Sequence, residues 1–72
     1  MTAGQSTQQA AAQVGRQIKE ARKAKGMSMQ QVADRSGLYR QRLSEIEAGK
    51  GNITIATLAA IAAALETTFE VG

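Results

Sequence analysis

The stretch that most constrains this chain is Ser28 to Gly49, SMQQVADRSGLYRQRLSEIEAG. Ser28, with Gln31 three residues on, is a capping-box pattern and opens a helix. Ser36-Gly37 interrupts that helix, and glycine supplies the positive φ that a tight turn needs. A second helical run follows from about Arg40 to Ala48 and stops at Gly49. Val32, Ala33, Leu38, Leu43 and Ile46 fall where two short helices crossing at a steep angle bury their apolar sides. The outward side of the second helix then carries Arg40, Gln41, Arg42, Ser44 and Glu45. This is a basic, amide-bearing face left free to enter a groove.

The rest of the chain reads as the scaffold for that pair. Residues 1–12 are polar and rich in Gln, Ala and Thr without apolar periodicity, so a flexible tail is expected there. Ser6 followed by Gln9 lets a helix begin as early as Thr7. The folded unit is expected over residues 13–66. Val14, Ile18 and Ala21 keep helical register, and Lys25-Gly26 closes their helix with a cation in the last turn and glycine after it. Met27 follows as a core residue. Beyond the Lys50-Gly51-Asn52 loop, Thr54 caps a fourth helix whose apolar face is read as Ile55, Leu58, Ile61, Ala62 and Leu65. The fold class expected is all-α, a compact four-helix bundle.

The tail, residues 67–72, changes character, because β-branched and aromatic residues alternate with polar ones. One reading is a short strand. Since a lone strand cannot satisfy its own backbone, it pairs with the same strand of a second subunit, and Phe69 and Val71 make the dimer contact. The other reading is a tail with Phe69 tucked onto the core.

Composition removes several classes of function. With neither Cys nor His in 72 residues there is no disulfide and no zinc site, and we expect no metal and no cofactor. Each Ser or Thr near a turn has a capping explanation, so an enzyme is not expected. No apolar run approaches the roughly 18 residues of a membrane span. The N-terminus is neither basic nor apolar, unlike a secretory signal, and the expected location is cytoplasmic, with no membrane partner. All nine Lys and Arg lie between Arg16 and Lys50, alongside four acids, whereas from Gly51 onward the only charged residues are Glu66 and Glu70. One end of the molecule is suited to meet an anion.

The segment Val14 to Leu65 resembles the lambda-repressor/Cro-like (XRE-type) helix-turn-helix domains. The resemblance is carried by Ile18, Arg22, Gly26-Met27-Ser28, Val32-Ala33, Gly37-Leu38, the run Leu43 to Lys50, and the fourth helix from Thr54. It implies a bundle whose third helix lies in the major groove of double-stranded DNA. By position, Arg40, Gln41 and Glu45 match the base-reading sites, with Ser44 and Arg42 close by. The chemistry agrees: Arg can bond guanine O6 and N7, and Gln can bond adenine N6 and N7, each bidentately. Glu45 either accepts from a cytosine amine or orients Arg42 or Arg40. Phosphate contacts are expected from Arg16, Lys50, the Gly51-Asn52 loop and Arg42. Arg22 and Glu47 match an ion pair tying helix 1 to helix 3.

Two residues depart from the family pattern. Met29 stands where a phosphate-bonding Gln is common, with Gln30 as its replacement. Tyr39 stands where Ser or Thr caps the third helix. Tyr is a poor cap, and its phenol either reaches a phosphate or its ring covers the turn. The function implied is a transcriptional regulator, a repressor binding a palindromic operator as a homodimer. The alternatives are an antitoxin that also binds a toxin, and a protein-interaction module released from DNA.

Overall fold

Four helices form in the order that the caps and periods predict: α1 Ala3–Ala24, α2 Met29–Ser36, α3 Arg40–Glu47 and α4 Ile55–Leu65. The structure is a computed structural model and describes residues 3–67, with side chains from Gln9 onward. Among the described residues there is no strand, and no helix is long and apolar enough to cross a membrane.

Each of the last three helices starts in the same way. An apolar residue precedes the cap and another sits four residues into the helix, the two positions of a hydrophobic staple. The pairs are Met27 with Val32, Leu38 with Leu43, and Ile53 with Leu58. Val32 and Leu43 are buried, and the other four are partly buried against the core. At Ser28 the capping box is complete: Ser28 Oγ accepts from the Gln31 amide at 3.1 Å, and Gln31 Oε1 accepts from the Ser28 amide at 2.8 Å. Thr54 Oγ1 accepts from the Thr57 amide at 3.1 Å. α2 packs mainly on α4 and α1 mainly on α3. Between them lies one core of Val14, Ile18, Val32, Ala33, Leu43, Ile46, Ile61, Ala64 and Leu65.

Two expectations are corrected. α1 already runs from Ala3, ahead of the earliest start read at Thr7. Ala and Gln are strong helix formers even without an apolar period. In addition Ala10, Ala11 and Ala12 are half-buried, held where the Gly49 turn passes over Ala12. The second correction concerns α4, whose inward side is Leu58, Ile61, Ala64 and Leu65, while Ala62 is half-buried and Ile55 is 87% exposed. A first-turn side chain leans toward the N-terminus of its helix. Ile55 therefore projects past the bundle, and Ile53, just before the cap, supplies the apolar contact instead. Phe69 and Val71, expected at a dimer contact, lie outside the described residues.

α4 ends at Glu66, which adopts φ 53° and ψ 47°. A non-glycine residue in this left-handed conformation costs roughly 1 kcal/mol, partly offset in a glycine variant by the greater freedom of the unfolded chain. Glu66→Gly is expected to raise the thermal midpoint by a few degrees, about what 0.5–1 kcal/mol produces in a domain this small. A lowered midpoint in a thermal melt would contradict it.

Candidate nucleic-acid interface

The rotation of α3 about its own axis decides what it can present, and burial sets that rotation. Leu43, Ile46 and Glu47 are its buried residues. Gln41, Ser44 and Glu45 are exposed on the side away from them, and Arg40, on the stripe of Glu47 but two turns earlier, is exposed because the first turn of α3 extends past the core. Tyr39 is the residue at the N-cap, with extended backbone and no side-chain bond to the helix, and its ring is 87% exposed. Arg40 and Gln41 occupy the first turn, the end a recognition helix points at base edges, and no acid lies in that turn to oppose them.

Two contacts fix the far end of α3 to α1. The first is an ion pair. Arg22 Nε donates to Glu47 Oε2 at 2.8 Å and Nη2 donates to Oε1 at 3.1 Å, in a fork-to-fork arrangement. Arg22 Nη1 also donates to the Met27 carbonyl at 3.1 Å, so one guanidinium joins α1, the α1–α2 connection and α3. The two side chains are 12% and 3% exposed. The hydrogen bond to Glu47 holds the Arg22 pKa above the ordinary guanidinium value. Partial desolvation pulls it down, and the coulombic attraction of Glu47 adds to the rise. The pair thus persists across any ordinary alkaline range.

The second contact is steric. Gly15, buried in α1, lies directly under the carbonyls that end α3: a Cβ placed on it would stand 2.5 Å from the Ile46 oxygen and 2.7 Å from the Glu47 oxygen. Glycine inside a helix otherwise lowers its stability, and here it permits a close approach of the two elements. Sequence reasoning passed over Gly15, although an isolated glycine within a helical period is itself a sign of close backbone approach.

The other candidate residues divide by location. Lys50 and Asn52 are exposed on the loop that follows α3, and Arg16 is exposed on α1. Gln30 is exposed on α2 and donates through Nε2 to Asp34 Oδ1 at 2.8 Å, one turn along the same helix. Met29 is half-buried against the core, so this departure from the family pattern replaces a polar contact with packing. The Glu45 carboxylate pairs with neither Arg40 nor Arg42. Arg42 is half-buried and turns away from its neighbours, with Nη2 donating to the Asn52 carbonyl. The structure therefore presents Arg40, Gln41, Ser44 and Glu45 as the exposed residues of α3, with Tyr39 at its N-cap and Lys50 and Asn52 on the adjoining loop, and it leaves Arg16 and Gln30 on separate helices.

The comparisons with known proteins agree on the helix-turn-helix fold. A family model described as helix-turn-helix matches residues 18–71. Among solved structures, the crystal structure of a restriction-modification controller protein from Aeromonas hydrophila is 31% identical. It superposes with a TM-score of 0.78 over 81% of this chain and 88% of that one. No curated protein matches the sequence significantly.

Proposed function

Because this chain belongs to the lambda-repressor-like helix-turn-helix family of DNA-binding transcriptional regulators, we propose that it represses transcription as a homodimer, reading a palindromic operator through α3 in the major groove. One observation carries the reading: burial of Leu43, Ile46 and Glu47 leaves Arg40 and Gln41 exposed on the first turn of α3. In this reading Arg40 and Gln41 select bases, Ser44 and Glu45 adjoin them, and Lys50, Asn52, Arg16, Gln30 and Tyr39 serve the backbone. A helix of eight residues covers only part of an operator, and two half-sites one helical turn apart supply the remaining affinity. The structural likeness to a restriction-modification controller favours control of a neighbouring restriction-modification gene pair over the antitoxin role.

The test is fluorescence anisotropy on duplex from upstream of the gene and on random duplex, at about 50 and 200 mM salt. Arg40→Ala and Gln41→Ala are each expected to weaken upstream binding by about ten- to a hundredfold, the worth of one bidentate base contact. Binding to random duplex should change far less. Equal affinity of parent and variants for both duplexes would remove base reading from α3.

A further inference from the structure

The loop between α3 and α4 is built around one guanidinium. Gly49 and Gly51 both take left-handed backbone, with φ of 76° and 73°, so the chain doubles back on either side of Lys50. The turn is closed by the Lys50 amide donating to the Glu45 carbonyl at 2.9 Å and the Gly49 amide donating to the Ile46 carbonyl at 3.0 Å. Beyond it, among the described residues, no backbone hydrogen bond ties Gly51, Asn52 or Ile53 to another element. The tie is Arg42, one turn back on α3, whose Nη2 donates to the Asn52 carbonyl. Its other terminal nitrogen lies over Gly51, where a Cβ would stand only 3.2 Å from Nη1. The side chains of Lys50 and Asn52, on either side of this clamped segment, are exposed.

We infer that Arg42 is a positioning residue. It orients the Lys50–Asn52 loop for contact with the phosphate backbone, and it does not itself neutralise a phosphate. The consequence for DNA rests on the DNA-binding reading above, whereas the clamp on the loop is a property of the free protein. A guanidinium that donates Nη2 to a carbonyl and lays Nη1 over a glycine is turned from the outward, two-nitrogen geometry with which Arg grips phosphate. Lys50, a mobile point charge, needs its backbone placed before it can reach one.

Two measurements on the whole chain decide the matter. The first uses free protein, comparing amide chemical shifts of Arg42→Gln with those of the parent. Shifts concentrated at Gly51, Asn52 and Ile53, with the thermal midpoint within a few degrees of the parent, are expected for loss of one exposed hydrogen bond. Amides at 51–53 that do not move would overturn the clamp whether or not the protein binds DNA. The second is a double-mutant cycle of Arg42→Gln and Lys50→Gln on the upstream duplex across a salt series. Each single change is expected to lower affinity roughly fivefold and the salt slope by about one. The double variant is expected to match Arg42→Gln alone, because the lysine has already lost its placement. A double variant that loses both factors, with a slope lower by about two, would make Arg42 an independent phosphate contact and overturn the inference. If the parent binds neither upstream nor random duplex, the DNA-binding reading fails, and the amide shifts still decide the clamp.

Discussion

Glu47→Ala is expected to destabilise the domain by about 3 kcal/mol or more, the usual consequence of removing one partner from a buried ion pair. The change leaves the Arg22 guanidinium, 12% exposed, with only the Met27 carbonyl of its three acceptors, and water cannot readily replace the lost carboxylate. A domain of this size starts from the low end of the 5–15 kcal/mol range, so the thermal midpoint should fall by about 12 °C or more. Circular dichroism melts measure this directly. The paired replacement Arg22→Met with Glu47→Leu should recover most of the loss, since no unpaired charge remains. The same double variant is expected to bind the upstream duplex more weakly than the parent at temperatures where both are folded. It has lost the bidentate geometry that sets the angle of α3 without losing any group that faces DNA. A midpoint for Glu47→Ala within a few degrees of the parent would mean the pair is not sealed from solvent.

Gly15→Ala is expected to be nearly as damaging, although on helix propensity alone it should help. Alanine in a helix interior gains roughly 1 kcal/mol over glycine. Against that stands a methyl group 2.5 Å from the Ile46 carbonyl oxygen and 2.7 Å from that of Glu47. Neither is the end of a flexible side chain; both are backbone at the close of a helix that Arg22 already holds. Relief requires α1 to move off α3, which loosens Val14 and Ile18 in the core and stretches the ion pair. Overpacking of this kind costs about 1–3 kcal/mol and sometimes more, and rigid neighbours on the other side place it at the upper end. The expected net loss is roughly 2 kcal/mol in a urea titration, and Gly15→Val should lose more. A more stable alanine variant would show that propensity prevails and that the α1–α3 contact can relax.

These effects separate what was legible in the sequence from what was not. The starts of α2, α3 and α4 and the ends of α2 and α3 were readable to within a residue, because a cap is a local device. Ser28 with Gln31, Gly37, Gly49 and Thr54 act on backbone groups no more than four positions away. The exposed face of α3 was readable for a related reason, since Leu43 and Ile46 lie on one side of the helical period and Gln41, Ser44 and Glu45 on the other, with Arg40 in the open first turn. The start of α1 was not, because Ala and Gln give propensity without a period, and the Gly49 turn over Ala12 joins parts of the chain far apart in sequence. Ile55 was placed inward by counting, yet the N-terminal lean of first-turn side chains and the nearby Ile53 put it outside.

By itself the sequence determined an all-α helix-turn-helix domain with Arg40 and Gln41 at the head of its third helix. Caps and apolar periods specify helices from near neighbours alone, and the same positions carry the family resemblance. Only the tertiary structure decided how that helix is held and which cations are engaged by the protein itself. Arg22 reaches Glu47 across 25 positions, Gly15 meets the end of α3 across a similar span, and Arg42 turns back to the Asn52 carbonyl. These contacts depend on the distance between backbone atoms of separate elements, which is set once the core has packed and is written in no local run of residues.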